Sequence, residues 1–304
     1  MTISTAPPHM STPQGRAPRF AAAGAMIAGA AGVLALLRGP GADYALIFPP
    51  PWLGAVGALA LAAALALRAL HRPLPAEVGA WSAAVLLLGG SGGVVLDGFR
   101  AFFAVSGIPA GSFAVVDVPG AVARAGALIA ALSALLLARE IRRGRAGAAA
   151  APGAPGPRRL LRTLGLAVCV PYPALKLLWW ADGDAGAPVM EAALFALAAG
   201  GILVLTAPRR TRLPRGLVIG GGWAGALVLL SMGALMVFGL LAQVTHLAGA
   251  PVAFEGAAAS SIVLGVYSTW LLLGIVVAAA TVQFEERSAP RAGTAPAPDR
   301  KAHP

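Results

Sequence analysis

Residues 120–162 read GAVARAGALIAALSALLLAREIRRGRAGAAAAPGAPGPRRLLR. The first 19 of them, Gly120 to Ala138, hold a single charged group, Arg124. At about 1.5 Å per residue they make a helix of about 28 Å, close to the roughly 30 Å of a bilayer's hydrocarbon core. The next 24 residues carry seven arginines in an Ala/Gly/Pro background. A span that ends on a basic block is oriented by it, because arginine-rich connections stay on the cytoplasmic side.

Working outward from that boundary, apolar stretches predict eight helices, at 20–37, 51–67, 78–96, 120–138, 163–181, 188–207, 217–241 and 260–281. Nineteen of the 23 Lys and Arg residues fall in every second gap, at Arg16/Arg19, Arg68/Arg72, Arg139–Arg162, Arg209–Arg215 and Arg287–Lys301. Only Arg38, Arg100, Arg124 and Lys176 fall in the alternate set. With five acids on the first side and seven on the second, the net charges are +14 and −3. This positive-inside sorting predicts a plasma-membrane protein with both termini cytoplasmic. The 7 to 15 apolar residues of a signal peptide are fewer than the first span holds, so it is expected to remain as a helix.

Composition agrees. The chain is 58% hydrophobic and 12% charged, with mean hydropathy +0.78, against the roughly 25% charged residues of soluble domains. Its basic residues flank spans instead of clustering with stacking aromatics, which argues against nucleic acid and for attraction to membrane lipids. Codon bias explains the excess of arginine over two lysines in so Ala/Gly/Pro-rich a sequence. The single cysteine, Cys169, allows neither an intrachain disulfide nor a Cys-based metal site.

The organisation expected is a 1–19 tail, four helices over 20–138, a basic linker over 139–162, four helices over 163–284 and a 285–304 tail. The halves resemble each other at a near-constant offset. Trp81 matches Trp223, VSGIP (105–109) matches LAGAP (247–251), and ALLRGPGAD (35–43) matches KLLWWADGD (176–184). An even number of helices per copy makes this a tandem parallel 4+4 repeat. The segments VPYPALKLLWWADGD (170–184), RLPRGLVIGGGWAGALVLLSMG (212–233) and VYSTWLLLGIVVAAATVQFEER (266–287) resemble a loosely defined group of uncharacterised actinobacterial multipass membrane proteins. The resemblance implies architecture and no activity.

Candidate chemistry gathers on the less basic side. Lys176 lies about five residues inside a span, between Pro171-Tyr172-Pro173 and Trp179-Trp180. A charge there is a functional candidate, although a lysine at that depth also snorkels to an aromatic interface. Asp97 and Arg100, three apart, are neighbours on a helix. With Arg124, Asp182 and Asp184 they form the candidate cluster. Asp117 and Glu191 lie at similar depth, and either Lys176 or Arg124 is a partner for Asp97. The Gly89–Gly93 run, GGSGG, predicts a broken or closely packed helix, and Gly221 with Gly225 offers a small-residue packing pair. The interruptions in the third and fifth spans fall at non-corresponding positions, which weakens a transporter reading.

Four scattered histidines exclude a bis-histidine haem. There is no P-loop, HExxH or GxSxG signature, and no cofactor is expected. The leading expectation is a non-enzymatic membrane component that binds lipid, a partner protein or another copy of itself. The alternatives are a secondary transporter or permease using the polar cluster and, more weakly, an enzyme acting on a lipid-like substrate. Orientation is testable: in a Cys169→Ser background, Ala150→Cys should resist an impermeant thiol reagent in intact cells and react after permeabilisation. Labelling in intact cells would overturn the topology.

Overall fold

The computed structural model describes residues 16–42, 48–146, 158–183, 187–208, 212–245 and 257–288. Regular structure among them is entirely helical. Ten α-helices follow one another: α1 (Arg16–Arg38), α2 (Pro51–Ala69), α3 (Pro73–Gly90), α4 (Val94–Ser106), α5 (Val118–Ala146), α6 (Arg158–Val168), α7 (Pro171–Ala181), α8 (Val189–Leu205), α9 (Arg215–Val244) and α10 (Ala257–Ser288). A short 3-10 turn, Gly111–Ala114, links α4 to α5. Among the described residues seven helical stretches are long and apolar enough to cross a membrane. The sixth stretch expected from the sequence, 188–207, forms the shorter α8, apolar over Ala192–Leu205. The chain is thus a multipass membrane protein built as a polytopic helix bundle.

The chain divides into two compact units, Met1–Pro152 with Phe238–Ala253, and Gly153–Val237 with Phe254–Pro304. In the first, α1, α2, α3 and α5 run alternately up and down. Gly32 of α1 faces Ala55 of α2, Gly57 and Gly90 approach Leu87 and Gly54 across the α2–α3 contact, and Gly24 and Gly126 of α1 and α5 lie against Ala130 and Ala28. Small residues dominate the interior, with Leu61, Leu87 and Leu137 buried among them. Ala21, Ala28, Ala58, Ala64, Ala80, Ala83, Ala130 and Ala134 are buried, while Met26, Val33, Leu37, Leu59, Val85 and Ile129 face outward. Such a surface would aggregate in water. In lipid it is what helix association requires, since small residues permit close backbone approach and large ones meet acyl chains.

Both expected interruptions are present. The span running from Pro73 to Ser106 breaks at Ser91–Gly93, where Gly93 adopts φ 94°. A side chain there would be strained and would also press on the Phe48 ring, 3.0 Å from the Cβ position. The span from Arg158 to Ala181 breaks at Cys169–Val170 ahead of Pro171, which opens α7. Proline lacks the N–H that would continue the helix. At the matching offset α9 and α1 are unbroken, so the two breaks do not correspond.

In the second unit α6, α7 and α8 pack on α10, and Gly165 fits between Ile202 and Val276. α9 and α10 meet antiparallel at Gly222 beside Thr281, Gly233 beside Leu271, and Gly274 beside Leu230. This contact uses Gly222, Ala226 and Gly233 and leaves Gly221 and Gly225 facing open space. The Gly221/Gly225 expectation is therefore displaced by one residue around the helix.

The packing makes a direct prediction. A Cβ on Gly90 would stand 2.9 Å from the Gly54 nitrogen, so Gly90→Leu should cost about 1–3 kcal/mol as an overpacked contact. Gly221→Ala, with nothing within 4 Å, should be neutral or gain up to about 1 kcal/mol from lower chain entropy. Thermal unfolding of both variants in one mild detergent measures the difference.

Candidate functional site

The α3–α4 break sets up the most polar buried feature of the first unit. Because α4 begins immediately after Gly93, its first turn carries Asp97, whose backbone N–H bonds to the Gly93 carbonyl at 3.0 Å. The helix is two-faced: Asp97 is buried and Phe99, Phe102 and Val105 are exposed. Arg124, two turns into α5, meets Asp97 in a bidentate fork, with Nε to Oδ2 at 2.5 Å and Nη2 to Oδ1 at 2.9 Å. The same Nη2 reaches Asp117 Oδ2 at 3.4 Å. All three side chains are at least 95% shielded in this pairing.

Asp117 is the N-cap of α5. Its carbonyl accepts from Ala121 N–H at 2.8 Å, and its Oδ1 accepts from Gly120 N–H at 3.3 Å, which satisfies a helix-terminal donor. A third strand of the site comes from the chain after α1, where Gly41 N–H donates to Asp117 Oδ1 at 3.1 Å. Phe48 lies under the Arg124 guanidinium, 4.6 Å from ring centroid to Cζ, in cation–π contact. Glycine is required at 120, where a Cβ would fall on the Asp117 carboxylate and 2.8 Å from Arg124 Nη1. Two carboxylates therefore share one guanidinium, and two backbone amides support the second carboxylate.

The remaining candidates are distributed differently. Arg100 donates from Nη1 to the carbonyls of Ser112 and Phe113 at 3.2 and 3.4 Å and stacks over Phe113. It clamps the 3-10 turn, while Asp97 turns to Arg124. Lys176 lies over Tyr172 and Trp179, its Nζ 5.7 and 5.1 Å from their centroids, in the geometry of an aromatic interface anchor. Asp182 caps the end of α7 in an exposed position, and Asp184 lies outside the described residues. Of the five candidates among the described residues, Asp97 and Arg124 are joined by an ion pair. Asp117, Gly41, Phe48 and Gly120 complete that group. Around Tyr172 the second unit builds an aromatic cluster with Phe195, Tyr267 and Trp270, ring centroids 4.9–5.3 Å from that of Tyr172.

Among the described residues no three His, Cys, Asp or Glu side chains gather to hold a metal ion. The Asp97–Arg124–Asp117 group can do two things chemically: hold three backbone segments together, and present charge only if that closure opens. No family model matches the chain, and neither a curated protein nor a solved structure is significantly similar to it.

Removing one member of a buried ion pair leaves an uncompensated charge, at a cost of about 3–5 kcal/mol. Asp97→Asn and Arg124→Met should each lower the thermal stability of the detergent-solubilised protein by that order, and the double variant should recover part of the loss. Additive losses in the double variant would show that the two side chains act independently.

Proposed function

We propose that this chain is a non-enzymatic multipass membrane component whose first four-helix unit is locked at one end by the Asp97–Arg124–Asp117 clasp. It works through its surfaces, by binding lipid, a partner protein or a second copy of itself. The observation that carries this reading is closure. The buried charges satisfy one another and backbone amides, and Arg124 is further covered by Phe48. A substrate site needs polar groups left for the substrate.

The proposal extends to placement. The charge sorting supports a plasma-membrane location with both termini cytoplasmic, and the near-constant offset between Trp81 and Trp223 and their flanking segments supports descent from a duplicated four-helix half. The likeness of 170–184, 212–233 and 266–287 to uncharacterised actinobacterial multipass proteins supports a place in that group.

A second reading has one observation in its favour. The helix break at Ser91–Gly93 lies beside a buried Asp–Arg pair, and broken helices are where secondary transporters place their binding groups. In that reading the clasp opens to admit a polar small molecule.

Mass spectrometry of the protein purified in mild detergent separates the two. Copurified phospholipid or protein is the expected result. A stoichiometric polar small molecule, lost in the Asp97→Asn variant, would replace the surface-binding reading with the transporter one.

A further inference from the structure

The fold pairs some of the arginines at the basic ends of the two units with acids and leaves others without them. In the first unit two of the arginines meet acids: Arg68 Nη2 lies 2.6 Å from Glu140 Oε1, and Arg145 pairs with Glu77. In the second, α6 opens on Arg158-Arg159-Leu160-Leu161-Arg162 with no acid in its first turn. Among the described residues none of these three arginines meets a carboxylate.

Their neighbourhood adds positive charge. Gly165 seats α6 against Ile202 of α8 and Val276 of α10, so the start of α6 lies beside the ends of both helices. There Arg287 of α10 donates to the Leu205 and Ala207 carbonyls at 2.5 and 3.1 Å and to its own helix at Gln283. That uses three of a guanidinium's five N–H groups. Arg158 is within electrostatic reach of Arg287, a like charge. The acids at this end offer no remedy: Glu285 accepts the Trp223 indole N–H at 2.6 Å, and Glu286 has an interaction of its own.

We propose that the corner formed by Arg158, Arg159 and Arg162 of α6 with Arg287 of α10 docks the phosphate-bearing headgroup of an anionic phospholipid. The inference rests on the surface-binding reading above and names its ligand class. Charge complementarity selects an anion, since arginine clusters beside the ends of membrane helices bind acidic headgroups. The apolar residues select a lipid over a soluble phosphate. Leu160 and Leu164 are exposed between and beside the arginines, offering acyl chains a surface that a free anion would not use. Trp223, which donates to Glu285, lies at the same end, and tryptophans are enriched where helices meet the membrane border.

The test is native mass spectrometry of the full chain in mild detergent, titrated with palmitoyl-oleoyl phosphatidylglycerol or with the matching phosphatidylcholine. The wild type should retain phosphatidylglycerol preferentially. At about 1 kcal/mol for each basic residue near the headgroup, R158Q/R159Q/R162Q should bind it about a hundredfold more weakly. The charge-preserving R158K/R159K/R162K should stay within about tenfold of wild type, which separates lost charge from lost folding. R68Q/R145Q, altering arginines already paired with acids, should leave the affinity unchanged.

Equal retention of both lipids, undiminished binding by the glutamine variant, or weak binding by the lysine variant with its fold intact would each overturn the proposal. Displacement of the lipid by millimolar inorganic phosphate would reassign the corner to soluble anions. The surface-binding reading fails by a different result, the copurified polar small molecule that depends on Asp97.

Discussion

Hydrocarbon offers no hydrogen-bond partner and no hydrophobic drive for one apolar helix to prefer another. The inverted distribution of side-chain size follows from that. Alanine and glycine fill the interior of the first unit because only a close approach of backbones gives enough dispersion contact, as where Gly90 meets Gly54 and Gly57 meets Leu87. Most of the larger apolar side chains, such as Met26, Val33, Leu59 and Val85, turn outward, where lipid solvates them as well as a protein core would. The same medium makes an open charge expensive, so Arg124 is present only with both Asp97 and Asp117 against it.

The spans were legible from sequence because their signal is additive over about twenty residues, and the two breaks because their causes are local. Pro171 cannot continue α6, and Gly93 supplies a left-handed turn between α3 and α4. The packing face of α9 was not legible. Residues 220–222 are all glycine, and Gly221 with Gly225 and Gly222 with Ala226 give two faces equally good small-residue spacings. Only the position of Thr281 opposite Gly222, a tertiary fact, decides which face is used.

The polar site shows the same division. Asp97 and Arg124 are 27 residues apart on different helices, and they meet only because α4 restarts after the break and α5 returns antiparallel to α3. Lys176 stood out by its depth within a span, yet it is accommodated by Tyr172 and Trp179 in its own helix. Asp117 carried a readable local signal, an acid before Val118-Pro119-Gly120 at the start of an apolar helix, which is a capping pattern. Its second role, as a carboxylate shared with Arg124, depends on the fold. Nothing in the sequence marks Phe48 as the ring beneath the guanidinium.

The clasp and the helix break depend on each other. Had α3 continued as one helix through residue 97, the register that places Asp97 toward Arg124 would be lost, and the arginine inside α5 would keep only the longer contact to Asp117, at 3.4 Å. Conversely, a left-handed residue and a buried Ser91 in mid-span break the helical hydrogen-bond ladder, an arrangement favourable only where something fixes the segment beyond. The Arg124 fork, the Asp117 cap and the Phe48 ring packed against Gly93 supply that restraint. An ion group so committed to holding three segments together has little left for a ligand. Any charge offered for recognition must then come from arginines outside the clasp, and those at the start of α6 are among the ones that meet no acid.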